Sequence, residues 1–204
     1  DISNGITASY NTPVEQLTDG SFEQWEITGY TPDGFTIQSM GGTAIERSTD
    51  SQAGTYAALL TADVVFGGQY ISDVLLNDAT YDAGETIQIK AYGKRTVGTT
   101  ANLVVIYEYV DGEDTYNYNF TGASAGTWTV AAEGPSADQI ETLTLTDSYS
   151  QVTSTIATAP VGVTHGVVTM IVGATNSGDK AVIDDVEVLV DGSDTAVNGT
   201  FELW

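Results

Sequence analysis

The chain of 204 residues carries 28 acidic and only 5 basic side chains, a formal charge of −23 at pH 7. Phosphate contacts need clustered Lys and Arg, so this balance excludes nucleic acid and anionic membrane as partners; no apolar run approaches the roughly 18 residues of a membrane-spanning helix, which predicts no membrane insertion. With no Cys there is neither a disulfide framework nor a thiolate metal site, and the wealth of Thr, Gly, Val, Tyr and Asp favours strands over helices.

In chain order, residues 1–16 are polar and broken by Asn4-Gly5 and Thr12-Pro13, and predict an N-terminal arm or linker. Asp19-Gly20-Ser21-Phe22-Glu23-Gln24-Trp25 follows, a turn leading into a short strand that carries one carboxylate. Pro32-Asp33-Gly34 is a turn before a strand at 35–38, with further strands expected at 43–47 and 55–60 around a polar loop at 48–54. Residues 85–92 alternate Thr86, Gln88 and Lys90 with Ile87, Ile89 and Ala91, the pattern of a half-buried strand. A hairpin joins 101–110 to 115–120 through a loop at 111–114, with Tyr107 and Tyr109 on one face and Tyr116, Tyr118 and Phe120 on one face. Strands at 149–157, 165–174 and 181–190 complete the body, and the last contains Ile183-Asp184-Asp185-Val186. No stretch of helical length has a 3.6-residue apolar period. The expectation is an all-β antiparallel sandwich, a jelly roll over 17–190, followed by a C-terminal strand within 191–204.

That terminal strand, Asn198-Gly199-Thr200-Phe201-Glu202-Leu203-Trp204, repeats the motif at 19–25. A spare copy of an opening strand either begins another tandem module or docks on a neighbouring subunit, with Phe201, Leu203 and Trp204 as the inter-subunit strand. Catalytic motifs are poor. Gly122-Ala123-Ser124-Ala125-Gly126 matches the nucleophile-elbow pattern, followed by Asp138 and His165, but an elbow needs a buried strand feeding a helix and none is predicted. The chain is therefore expected not to be an enzyme. The sequons at Asn119 and Asn198 are adequately explained by chance.

Several landmarks are collinear: Gly20 to Glu23, Pro32-Asp33-Gly34-Phe35, Ala53-Gly54-Thr55-Tyr56-Ala57-Ala58-Leu59, Ala83-Gly84-Glu85-Thr86, Ser148-Tyr149-Ser150-Gln151-Val152 through Ala159-Pro160, and Ile183 to Val186. Together they resemble the jelly-roll carbohydrate-binding modules that accompany xylanases and glucanases, and related secreted repeat modules. The resemblance implies a structural calcium ion held by Glu23, Asp50, the Thr55 carbonyl and Asp184, with Asp19 or Asp185 as extras; calcium takes about 6 to 8 oxygen ligands. It also implies sugar contacts on aromatic faces, for which Tyr107, Tyr109, Tyr116, Tyr118 and Trp128 are candidates, with Asn117 nearby as a hydroxyl partner.

Two functions follow as expectations. The first is a calcium-stiffened extracellular structural or adhesive subunit that assembles with copies of itself by terminal strand exchange. The alternative is a carbohydrate-binding module of a larger secreted or tandem-repeat protein, binding polysaccharide through the tyrosines. A start at Asp1 without an initiator Met fits a processed secreted protein or an excised fragment.

Overall fold

The computed structural model describes residues 36–77, 81–131, 134–160 and 166–194. The arm at 1–16, both copies of the repeated motif and His165 lie outside the described residues. The first strands are β1 (Thr36–Gln38), β2 (Glu46–Ser48), β3 (Ala57–Ala62), β4 (Val64–Phe66), β5 (Gln69–Ile71) and β6 (Val74–Asn77). Then come β7 (Thr86–Val97), β8 (Asn102–Asp111), β9 (Asp114–Tyr118), β10 (Trp128–Val130) and β11 (Glu141–Thr144), the last entered from a single 3-10 turn at Ala137–Gln139. The remainder are β12 (Ser150–Thr153), β13 (Ala157–Thr158), β14 (Gly166–Ala174), β15 (Asp179–Val190) and β16 (Ser193–Asp194).

These strands form two antiparallel sheets packed as a sandwich, as the sequence predicts. The larger runs β1-β6-β14-β8-β9-β10, with β11 beside the first half of β8 and the β4-β5 hairpin on β14. The smaller runs β12-β7-β15-β3-β2, with β13 on β7 and β16 on β15. Alternation places the core: β7 sends Ile87, Ile89 and Ala91 inward, and from the opposite sheet Leu103, Val105 and Tyr107 meet them. Gly93 continues the β7 row where a side chain would not fit, since an added Cβ would lie 2.9 Å from both Ile183 Cδ1 and Leu145 Cδ2. Gly93→Ala is therefore expected to lower the melting temperature by roughly 3–10 °C in a thermal scan, the effect of overpacking a filled interior.

Strand β15 breaks its own alternation once. Ala181 and Ile183 point inward, and so do Val186, Val188 and Val190, which strict alternation forbids. The pairing with β7 shifts register between Asp184 and Glu187, and Asp185 takes φ 48°. One extra residue is thus absorbed in a bulge, and Asp is among the few residues that tolerate the left-handed conformation. The bulge keeps both halves of β15 on the core while leaving Asp184 on the other side of the strand.

The expected strand at 149–157 is two strands, β12 and β13. Between them the buried Ser154 keeps one backbone bond, its amide donating to the Ile89 carbonyl (2.9 Å), and its Oγ accepts from the Ile89 amide (2.8 Å) and donates to the same carbonyl (3.1 Å). Three strands at 61–80 went unpredicted, although Gly67-Gly68 is a two-residue hairpin turn with both glycines at positive φ.

Candidate functional site

The predicted aromatic platform faces the interior. Tyr107 is fully buried, and Tyr109 and Tyr118 are 8% exposed; all three belong to the core cluster. Tyr107 donates to the carbonyl of Thr155 (3.0 Å), hydrogen-bonds with Ser154 Oγ and accepts from the Ile89 amide (3.3 Å). Burial pushes its hydroxyl above the usual tyrosine range. Tyr116 stacks on Tyr109 with ring centres 4.7 Å apart, and Trp128 packs edge-on against Tyr109 and Tyr118 while its Nε1 donates to the Thr158 carbonyl at 2.8 Å. These rings spend their faces on one another. Sequence alternation puts Tyr107 with Tyr109, and Tyr116 with Tyr118 and Phe120; both sets lie against the core, so they do not form an open sugar platform.

The opposite, outer face of the larger sheet carries a different set. On β8, Val104 and Ile106 point outward into a second buried cluster with Ile71 and Val74, against which Val64 and Ile140 pack. Beyond them lies a polar row: the register places Glu108 beside Asn117 and Asn117 beside Thr129. Burial raises the Glu108 carboxyl above its ordinary value. Asn117 is fully buried, yet neither its amide nitrogen nor its oxygen has a hydrogen-bond partner. A buried amide stripped of water without compensation costs about 1–3 kcal/mol; among the described residues only Thr61 Oγ1 and Asp63 Oδ1 are likewise buried without a partner.

Residues 134–140 return from β10 to β11 across this face. Gly134 takes φ 105°, and beyond it the Asp138 carbonyl accepts from the amides of Phe120 (2.8 Å) and Thr121 (3.2 Å). Gln139 is tied at both ends: Oε1 accepts from the Ser136 amide (2.8 Å), and Nε2 donates to Thr129 Oγ1 (2.9 Å) and to the Thr129 carbonyl (3.3 Å). The strap therefore sits on Thr129, next to Asn117. Ser124 lies in exposed turns with its carbonyl accepting from Thr127, and Asp138 accepts from Thr121 Oγ1 at 3.0 Å, so the Gly-Ala-Ser-Ala-Gly stretch is a surface loop and not an elbow.

Of the predicted cation ligands, Asp184 and the loop at 50–55 come together. Asp184 Oδ2 accepts from the amides of Gln52 (2.6 Å) and Ala53 (3.0 Å), and Oδ1 from Asp185 (2.8 Å). Its carboxyl is fully buried and is pushed up to about 6, chiefly by desolvation; the three amides pull it down and Asp185 adds to the rise. Asp50 instead pairs with Lys94 at 2.6 Å, its carbonyl taking the Tyr149 hydroxyl at 2.6 Å. Thr55 lies on the same loop, and Asp19 and Glu23 are outside the described residues. Among the described residues no three carboxylates converge on one point. The donor set fits a hard cation only in part: one desolvated carboxylate whose oxygens accept from three amides, short of the 6 to 8 oxygens calcium takes.

No protein-family model and no curated sequence matches the chain. Solved structures do. It is similar to a family 61 carbohydrate-binding module solved with β-1,4-galactotriose (TM-score 0.52, 13% identity, 86% of this chain and 97% of that one). It is also similar to the CBM22-1 xylan-binding domain from Paenibacillus barcinonensis (TM-score 0.52, 12% identity, 87% and 98%). A further xylan-binding family 22 domain aligns at TM-score 0.51 and 14% identity over 89% and 99% of the two chains. At these identities the shared property is the fold, a jelly roll of the carbohydrate-binding-module type.

Proposed function

We propose that the chain is a non-catalytic carbohydrate-binding module whose sugar-contacting surface is the outer face of the larger sheet around Glu108, Asn117 and Thr129. The observation that carries this reading is the unpartnered, buried amide of Asn117. A pyranose hydroxyl both donates and accepts, so one or two of them answer an amide that lacks both kinds of partner. The adjacent Glu108 supplies a second hydrogen-bonding group. The fold shared with modules described as binding xylan or solved with a galactotriose supports the same ligand class. A polysaccharide ligand suits an extracellular setting.

The test sets stability against binding. Asn117→Leu, close in volume, is expected to raise stability by about 1–2 kcal/mol in urea denaturation, because it removes an uncompensated polar group. The same variant is expected to weaken binding of soluble xylan or galactan at least tenfold, measured by calorimetry. A variant that is destabilised and binds normally would show Asn117 to be a structural residue and would remove the support for this face.

A second reading, calcium binding beside Asp184, is supported by that carboxylate's burial without a basic neighbour among its hydrogen-bond partners. Assembly through Phe201, Leu203 and Trp204 concerns residues outside the described ones, and the shared fold favours polysaccharide binding over it.

A further inference from the structure

We propose that residues 134–140 are a closing strap over the sugar-contacting face, so that binding requires its displacement and its tethers set the apparent affinity. The inference rests on the carbohydrate-binding reading and adds how the face is regulated. Asn117 has no exposed surface, and the strap is bonded to Thr129, its partner across the β9-β10 pairing, so access to the amide is taken to require movement of the strap. The strap is held mainly by polar bonds. Gln139 reaches Thr129 from above, the Asp138 carbonyl takes the Phe120 and Thr121 amides, and Thr121 Oγ1 bonds the Asp138 carboxylate. Residues 136, 137 and 138 are exposed, and the apolar contact comes at the far end, where Ile140 packs on the Val104 and Ile106 cluster beside β11. This suits lifting about a fixed Ile140, with Gly134 at φ 105° at the other end.

The groups that the strap satisfies, the Thr129 carbonyl and hydroxyl bonded by Gln139 and the Phe120 and Thr121 amides bonded by the Asp138 carbonyl, are ones that water can serve as well once the strap lifts. The amide of Asn117 is the reverse: closed, it has no partner, and open, a ligand hydroxyl or water supplies one. Closure therefore leaves one polar group uncompensated, a state that a sugar relieves. When only a fraction of molecules is open, the apparent dissociation constant is the intrinsic one divided by that fraction. Loosening the strap should tighten binding, and locking it should abolish binding.

Two experiments decide. The first is a Thr121→Cys/Asp138→Cys double variant, which replaces the side-chain tether between Thr121 Oγ1 and the Asp138 carboxylate in a chain that otherwise contains no cysteine. Oxidised, it should lose binding of xylohexaose and β-1,4-galactotriose; reduced with dithiothreitol, it should regain it; and Gln139→Ala should bind roughly three- to tenfold more tightly than the wild type. Equal binding by the oxidised and reduced forms would overturn the strap while leaving the carbohydrate reading standing. The second is hydrogen exchange, which needs no ligand. The Phe120 and Thr121 amides, bonded to Asp138, should exchange at least tenfold faster than the Leu145 amide, bonded to Ala101, and faster still in Gln139→Ala. Should they exchange as slowly as Leu145 in both proteins, the strap does not lift and the proposal fails, whatever the sugars do. Loss of all sugar binding with fast exchange would overturn the affinity-setting role and point the failure at the carbohydrate reading.

Discussion

Tyr107→Ala is expected to lower stability by about 4–8 kcal/mol, a large part of the total. The side chain is fully buried between the two sheets, and its ring packs on Tyr118 and Phe120 with centres 6.2 and 5.2 Å away. Truncating a large aromatic in a core costs about 3–5 kcal/mol, and a domain of this kind holds about 5–15 kcal/mol in total. The hydroxyl adds a second loss, because the Thr155 carbonyl then faces an empty space instead of a donor. Tyr107→Phe separates the two contributions. Ser154 Oγ still bonds both polar groups of Ile89, so the conservative change should cost only about 1 kcal/mol. Urea denaturation followed by tyrosine and tryptophan fluorescence gives both numbers. If Tyr107→Ala melted like the wild type and lost only sugar binding, the inward orientation of this row would be wrong.

The same residue shows how far the sequence could be read. Alternation along β7 identified its inner row, because Thr86, Gln88 and Lys90 mark the solvated side. On β8 that contrast fails: Leu103, Val105 and Tyr107 are buried on one face, and Val104 and Ile106 on the other. A strand covered on both sides tells which residues share a face without telling which face is inside. Glu108 and Asn117 were the polar markers of the outer side, but the burial of Asn117 accompanies residues 134–140 returning across the sheet, a connection that no local pattern encodes. Asp184 was more legible. A carboxylate amid Val182, Ile183 and Val186 had to meet hydrogen bonds or a cation, and it meets three amides.

Asp184 is also where pH and divalent cations should act, and with opposite signs. Its carboxyl is raised in the folded chain from 3.8 to about 6, chiefly by burial, so the ionised form is disfavoured by folding. In chelator, the folded state takes up a proton between about pH 6 and pH 4 that the unfolded chain does not, and stability rises as pH falls through that window. The gain is about 1–3 kcal/mol, the upper figure being the full shift converted to free energy. General repulsion among the 28 acidic residues also eases on acidification, so the melts belong at high salt, where surface charges are screened, with Asp184→Asn as the control that should flatten the slope. Calcium bound beside Asp184 would hold the ionised form and reverse the order: the melting temperature at pH 7.5 should rise on adding millimolar calcium, and acidification should then remove that increment as protons compete for the carboxylate. Identical melts with and without calcium would eliminate the cation at this site. A melting temperature in chelator that falls between pH 6 and pH 4 would show instead that the three amides outweigh burial, and that Asp184 serves only to pin the 50–55 loop to the bulge of β15.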